Sequence, residues 1–216
     1  AMNSTIQGCS EPHGPPGTKF GHTNGLIVNP AMCLEFVFSR GVKQTPGQLG
    51  SRRRLGVDTG DPNQFRTFED FKDAVKKQFA ESIRIGVIAT SYVESLLGKY
   101  FPLPMQSLLT KGCLERGKDV TKGGAQLYCG MGVSVAGGWA DLADSLAAVK
   151  KLVYEENKIA MSDLCKAISS DFEGYEPLRQ MLIHDAPKYG NDIDYVDDLA
   201  REMWDFFNAE VRKHRS

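Results

Sequence analysis

Gly8-Cys9-Ser10-Glu11-Pro12 is the stretch that organises this chain, because it sets a thiol and a carboxylate two residues apart. Pro12 disfavours helical backbone at Glu11 and favours an extended conformation. Side chains at positions i and i+2 of an extended segment lie on the same side, so Cys9 and Glu11 are predicted to face one space. Such a pair combines a nucleophile or radical carrier with a base. The alternative for so short a motif is a buried structural cysteine beside a chance acidic neighbour.

The composition is that of an ordinary globular protein of one or two domains, with 216 residues, 41% hydrophobic, and a net charge of -1. Lys and Arg (26) balance Asp and Glu (27), and the one dense basic run, Arg52-Arg53-Arg54, is short. A nucleic-acid partner is therefore not expected. No apolar run approaches the roughly 20 residues that span a bilayer, and no leader opens the chain, so a membrane partner is not expected either.

The five cysteines lie far apart and form no Cys-x-x-Cys pair. This spacing predicts no zinc site, iron-sulfur cluster or redox dithiol. An odd number of dispersed thiols fits a reducing compartment, so we expect a cytoplasmic protein.

Most of the chain carries a helical pattern. Asn29-Pro30 predicts the start of a short buried helix that Gly41 ends. Thr67 predicts the cap of a long helix that runs to Gly98, on the order of 45 Å. The remaining predicted elements are short strands within residues 19–28 and 127–135, and helices at 106–116, from Leu142 to Val153, from a cap at Ser162, from Pro177, and from Val196 to Val211.

Two glycine-containing runs resemble nucleotide sites only in part. The run from Gly112 to Asp119 matches a phosphate loop until Asp119 replaces the Ser or Thr that binds magnesium. A carboxylate there repels phosphate, and no strand precedes the run. Gly130-Met131-Gly132 begins like a dinucleotide fingerprint but lacks the third glycine, so neither run predicts a nucleotide site well.

Five blocks, in order, resemble the glycyl radical enzymes of the pyruvate formate-lyase superfamily, in the branch whose active-site loop reads Gly-Cys-x-Glu. The first is Gly8-Cys9-Ser10-Glu11-Pro12. The others are Thr59-Gly60-Asp61-Pro62 with Phe68-Glu69, Glu115-Arg116-Gly117-Lys118-Asp119-Val120-Thr121 with Gly123-Gly124-Ala125, Ala143-Asp144-Ser145-Leu146-Ala147-Ala148-Val149-Lys150-Lys151-Leu152-Val153, and Ala186-Pro187-Lys188-Tyr189-Gly190-Asn191-Asp192.

The resemblance implies an α/β fold, part of a ten-stranded α/β barrel of the pyruvate formate-lyase type. This portion is expected to be mainly helical with a few short strands. Residues 1–216 would be part of a single barrel domain, with 1–24 as the active-site cysteine loop and 25–216 as later barrel strands and surrounding helices.

The resemblance also implies a radical mechanism. A glycine radical takes hydrogen from the Cys9 thiol, and the thiyl radical then takes hydrogen from the substrate. That glycine normally lies in an Arg-Val-x-Gly-Tyr-like segment, which no stretch of these 216 residues resembles, so the chain by itself is expected to be inactive. The chain would bind no cofactor. An activase that uses S-adenosylmethionine and an iron-sulfur cluster would install the radical, and the full-length protein would be a homodimer.

The Cys9 and Glu11 pair predicts radical elimination of dehydratase type from a small hydroxylated substrate, because a base can deprotonate the substrate hydroxyl. His22 and Thr23 are the candidate substrate-binding residues, and no metal site is predicted. Thr23 stands near the position where dehydratases of the family often carry an acidic residue, which counts against glycerol or propanediol. The alternatives are an arylacetate decarboxylase of the same superfamily, a catalytically silent structural fragment, and a nucleotide-binding module that uses residues 112–118.

Overall fold

The computed structural model describes residues 5–7, 11–13, 19–20, 25–43, 53–129, 132–135 and 137–214. Within these residues the protein is mainly helical, and its strands are two or three residues long. The elements in chain order are β1 Thr5–Gln7, β2 Glu11–His13, β3 Lys19–Phe20, β4 Leu26–Val28, α1 Pro30–Phe38, α2 Phe68–Tyr100, α3 Pro104–Leu109, α4 Cys113–Arg116, β5 Tyr128–Cys129, β6 Val133–Val135, α5 Trp139–Ala148, α6 Met161–Ser169, α7 Glu176–His184 and α8 Asp194–Lys213. Short 3₁₀ turns lie at Pro62–Gln64 and Val120–Lys122, and a π-helical segment, Val149–Glu155, continues α5.

The chain forms two compact units. The first contains residues 1–27 and 84–134, and the second contains residues 28–83 and 135–215. Helix α2 begins in the second unit and ends in the first. The prediction of a single barrel domain for residues 1–216 stays a prediction.

The starts of α1 and α2 are fixed by the caps that the sequence predicts. The Asn29 side chain accepts a hydrogen bond from the Met32 amide at 3.2 Å, and Pro30 occupies the first helical position. Thr67 Oγ1 accepts from the Asp70 amide at 3.1 Å, while the Asp70 carboxylate accepts from the Thr67 amide at 2.9 Å. This reciprocal capping satisfies two amides that have no partner inside the helix.

The core of the second unit lies where α2, α5 and α8 meet. Phe71, Val75, Phe79 and Ile83 bury one stripe of α2, as their helical spacing predicts. The Phe79 ring makes edge contacts with Trp139 on α5 at 6.3 Å. Helix α1 packs against α5. The buried residues of α8 are Val196, Leu199, Ala200, Met203 and Phe207.

Two polar side chains of α2 are also buried in this unit. The Lys72 ammonium donates to Glu69 at 3.0 Å and to Glu202 of α8 at 2.7 Å. The Gln78 amide accepts from the Val57 nitrogen at 3.1 Å and donates to the Val57 oxygen at 2.7 Å. The Gln78 side chain thus pairs with the backbone of Val57, in an irregular segment, as a neighbouring strand would. Both backbone groups of Val57 therefore have a hydrogen-bond partner.

The first unit has a much smaller core, in which Cys113, Val120 and Ala125 cluster. Gly86 of α2 lies against Leu26, and a Cβ at position 86 would come within 1.8 Å of Leu26 Cδ2. A glycine inside a helix usually weakens it. The structure instead indicates that Gly86 allows close packing.

Three predicted boundaries are wrong. Helix α2 continues past Gly98 to Tyr100, and a Cβ at position 98 would come within 3.0 Å of the Thr121 carbonyl oxygen. The helix expected over residues 106–116 is split into α3 and α4, because Gly112 adopts a positive φ of 97° between them. Ser162 does not cap α6, which begins one residue earlier with Ala160 as its N-cap.

Helix α7 forms where Pro177 predicts it, but none of its residues is buried. Its apolar residues Leu178, Met181 and Leu182 are only half-buried.

Candidate active site

The segment around the Gly-Cys-Ser-Glu motif is a pair of short antiparallel strands. Strand β1 pairs with β2, and Gln7 lies opposite Glu11 in this register. Only three residues, Gly8, Cys9 and Ser10, separate Gln7 from Glu11 in the sequence. The extended backbone that Pro12 predicts for Glu11 is confirmed.

Two further strand pairs involve the chain that follows the motif. Strand β3 runs parallel to β5, with Lys19 opposite Tyr128 and Phe20 opposite Cys129. Strand β4 pairs with β6, and the Leu26 amide donates to the Gly132 carbonyl at 3.1 Å. A stretch about 110 residues later thus lies beside the chain that follows the motif. The strand pattern of residues 127–135 predicted these strands but not their partners.

Of the four predicted site residues, the structure describes the backbone of Glu11. Cys9, His22 and Thr23 lie outside the described residues. The prediction that Cys9 and Glu11 face one space, and the substrate-binding role of His22 and Thr23, therefore stay predictions.

The three cysteines whose side chains the structure describes are poor candidates for reactive thiols. Burial raises the pKa of Cys33 to about 11, against a smaller opposing effect of its contact with Ser82. Burial raises the pKa of Cys165 to about 11 as well, and the charge of Asp61 adds to the shift. Burial, followed by the charges of Asp119 and Glu115, raises the pKa of Cys113. None of these thiols ionises near neutral pH, and reactive cysteines need accessible sites.

Asp119, the residue at which the run departs from a phosphate loop, has a structural role. Asp119 accepts hydrogen bonds from the Leu103 amide at 3.0 Å, from Ser107 Oγ at 2.8 Å and from the Thr121 amide at 2.9 Å. Partial burial raises the pKa of Asp119, but the hydrogen bond from Thr121 Oγ1 at 2.6 Å and the three bonds above outweigh it and lower the pKa to about 2. An ionised carboxylate tied to the loop backbone disfavours phosphate there.

The same run lacks the helix that a phosphate site needs. Helix α4 is four residues long, and the Glu115 carboxylate already accepts the Gly112 amide at its start, at 2.9 Å. The Gly112 amide, which could otherwise donate to a bound anion, thus donates to the Glu115 carboxylate instead. The nucleotide-binding alternative has no support in this geometry.

The described residues contain neither a cluster of metal ligands nor a membrane-crossing helix. No three His, Cys, Asp or Glu side chains gather there in a way that would hold a metal ion. No helix among the described residues is long and apolar enough to cross a membrane.

The family model described as "Pyruvate formate lyase-like" matches residues 1–216. The chain belongs to the pyruvate formate lyase-like family. The glycyl radical enzyme resemblance read from the sequence is therefore confirmed.

Among curated members of this family, the trans-4-hydroxy-L-proline dehydratase of Clostridioides difficile is 34% identical over 165 residues, which cover 74% of this chain and 20% of the relative. The isethionate sulfite-lyase of Desulfovibrio desulfuricans is 34% identical over 211 residues, covering 94% of this chain and 24% of the relative. An indoleacetate decarboxylase of Tractidigestivibacter scatoligenes is 24% identical over 227 residues.

Among solved structures, the glycerol-bound B12-independent glycerol dehydratase from Clostridium butyricum matches 99% of this chain with a TM-score of 0.86 and 32% identity. The match covers 26% of that chain. The predicted fold class, part of a pyruvate formate-lyase-type barrel that is mainly helical here, is confirmed. The pyruvate formate lyase-like chain spans about a fifth to a quarter of the length of the relatives that it matches.

Proposed function

We propose that the protein to which these residues belong is a glycyl radical lyase, in which Cys9 is the hydrogen-abstracting thiyl and Glu11 is the base. The reaction is the elimination of a leaving group from a small hydroxylated substrate. One observation supports the assignment. Glu11 lies opposite Gln7 in the β1–β2 strand pair, and Cys9 is the middle one of the three residues between Gln7 and Glu11 in the sequence.

The proposed reaction balances as a closed cycle. The Cys9 sulfur takes a hydrogen atom from the substrate carbon that bears the hydroxyl, which forms an S–H bond and leaves a carbon radical. Glu11 takes the hydroxyl proton, and the resulting ketyl radical expels the leaving group from the neighbouring carbon with its electron pair. Glu11 returns its proton to the departing anion, which leaves as water where that anion is hydroxide. The product radical then takes the hydrogen back from Cys9, which restores the thiyl.

The residue types suit this chemistry. A thiyl radical exposed to solvent reacts with oxygen and other side chains, so a protein must shield it. A carboxylate shielded together with it has a raised pKa, which suits a base that accepts a proton near neutral pH. His22 and Thr23, which follow the motif, are the proposed substrate contacts. In this proposal, residues 1–24 are the active-site loop of one barrel domain, and residues 25–216 are its later strands and helices.

The relatives support elimination over other chemistry without fixing the substrate. Two are named for dehydration, of trans-4-hydroxy-L-proline and of glycerol, and one for release of sulfite from isethionate. The indoleacetate decarboxylase keeps arylacetate decarboxylation as the second candidate, and its lower identity makes it the weaker one.

The proposal includes partners that this chain does not contain. A radical-generating activase with S-adenosylmethionine would place the radical on a glycine outside these 216 residues, and the full-length protein would be a homodimer. The described cysteines, Cys33, Cys113 and Cys165, form no disulfide. Free thiols are typical of a reducing compartment, so we place the protein in the cytoplasm.

The test uses the protein at its full encoded length, activated anaerobically. Cys9→Ser is expected to leave the glycine radical detectable by electron paramagnetic resonance and to abolish turnover. Glu11→Gln is expected to lower kcat by roughly 10² to 10⁴, the usual contribution of a general base. The control is Cys165→Ser, which changes a half-buried thiol and should leave kcat unchanged. The substrates offered are trans-4-hydroxy-L-proline, isethionate, glycerol and indoleacetate.

Three results would contradict the proposal. Wild-type turnover in Cys9→Ser would rule out Cys9 as the hydrogen-abstracting thiyl. Wild-type turnover in Glu11→Gln would rule out Glu11 as the base. Turnover of indoleacetate alone, with release of carbon dioxide, replaces elimination by decarboxylation.

A further inference from the structure

The most exposed large apolar side chains in the described part of the protein are concentrated in one segment, residues 84–109, which we call the apolar arm. It contains the second part of α2 and all of α3. Leu109 is 80% exposed and Met105 is 71% exposed. Only Arg84, Glu94 and Lys99 are charged among its residues, although a quarter of the whole chain is charged. A solvated helix is normally richer in charge.

The apolar arm exposes such side chains on opposite sides of α2. Ile88 and Leu97 are both exposed and are nine residues apart. At 3.6 residues per turn, nine residues are two and a half turns, so the two side chains point in opposite directions. Gly86 and Thr90 are the buried residues of α2 beyond Arg84. A helix that is apolar on opposite faces is typical of the interior of a large protein.

Among the described residues, the core of the first unit is small and leaves the apolar arm exposed. Its buried cluster consists of Cys113, Val120 and Ala125, which are small or medium side chains. Patches of exposed apolar surface this long are rare on monomers and indicate a binding surface. Something else therefore covers these residues when the protein is complete.

We infer that the apolar arm is an internal docking element, covered on opposite faces of α2 by the rest of the same polypeptide beyond these 216 residues. Two observations favour this occupant over a second copy of the chain. The solved glycerol dehydratase matches 99% of this chain with only 26% of its own length, which leaves ample polypeptide to surround a helix. A two-fold contact with a second copy covers one face, whereas Ile88 and Leu97 need two.

The test measures cysteine reactivity in the protein at its full encoded length, with single substitutions Ile88→Cys and Leu97→Cys on opposite faces. Maleimide labelling of each site is followed by peptide mass spectrometry, in native buffer and in urea. Both sites are expected to label at least about tenfold more slowly in the native protein, as buried positions do. The control is Lys166→Cys on α6, whose parent side chain is 64% exposed, and it should label at nearly the same rate in both conditions.

A second measurement needs no substitution. In hydroxyl-radical footprinting of the unsubstituted protein, Tyr92 and Phe101 should be oxidised more slowly in native buffer than in urea. Fast native labelling of both arm cysteines, or unprotected Tyr92 and Phe101, overturns the inference. Protection of one face only, lost on dilution to monomer, overturns it in favour of a second copy. Neither measurement requires the glycine radical or substrate turnover, so the result is independent of the proposed lyase activity.

Discussion

The ion pairs that join α2 to α8 give the sharpest prediction about stability. Lys72 is 7% exposed and donates to Glu202 on α8 at 2.7 Å, while Glu202 also accepts from Lys76 at 2.7 Å. Partial burial disfavours the Lys72 charge, but its hydrogen bonds to Glu202 and Glu69 outweigh this and raise its pKa. Removing Glu202 therefore leaves a buried ammonium with one remaining partner.

The magnitude follows from that burial. Breaking a fully buried pair costs about 3–5 kcal/mol, and an exposed pair is worth about 0.2–1 kcal/mol. Lys72 keeps Glu69, and Glu202 is 41% exposed, so Glu202→Ala is expected to cost about 2 kcal/mol. Lys72→Met should cost less, within about 1 kcal/mol, because methionine fills the buried space and leaves only partly solvated carboxylates.

The assay is amide hydrogen exchange of α8 in the protein at its full encoded length. A loss of 2 kcal/mol accelerates exchange through opening of α8 by about 30-fold, since 1.36 kcal/mol is tenfold. The control on the same helix is Asp198→Ala, which breaks an exposed pair with Arg201 and should change the exchange rate by less than about threefold. If Lys72→Met accelerates exchange as much as Glu202→Ala, the reasoning about the stranded ammonium is refuted.

The same pair predicts a pH dependence. Partial burial raises the pKa of Glu202, but the hydrogen bonds from Lys72 and Lys76 outweigh it and hold the pKa below its usual value. The stabilisation is therefore complete above the unfolded pKa of about 4.3 and is lost as the pH falls through the lower folded value. Protection of α8 should fall over this range in the parent protein and fall less in Glu202→Ala.

Three further outcomes are expected. Gly86→Ala should lower the melting temperature although alanine favours helix, because its Cβ would meet Leu26 at 1.8 Å. Adding Leu26→Ala should restore part of the loss. An unchanged or higher melting temperature for Gly86→Ala would contradict the close packing. Asp119→Ala should speed hydrogen exchange around residues 103–121. The contribution of Asp119 in the parent should be largely present at pH 4 and should be lost progressively as the pH falls from there through about 2, the lowered pKa of Asp119. Equal exchange in both proteins would show that the carboxylate is dispensable. The 216-residue chain alone, treated anaerobically with activase and S-adenosylmethionine, should give no glycine-centred doublet in electron paramagnetic resonance, because none of its segments resembles the radical loop; a doublet would prove otherwise.

The sequence by itself determined the family and the local structure of this protein. Ordered blocks from Gly8 onward carried the family resemblance that the whole-length match confirms. The caps at Asn29 and Thr67 and the extended backbone at Glu11 were also predictable, since each depends on residues within a few positions along the chain.

Tertiary structure decided what depends on residues far apart in sequence. The role of Gly86 is set by Leu26, and that of Asp119 by Leu103 and Ser107, none of which a local pattern identifies. The apolar stripe of α2 is buried at Phe79 and exposed at Leu97, although both residues fit one helical period. Periodicity shows which side chains are apolar, but burial depends on whether another element lies against them, and that is a property of the packed chain.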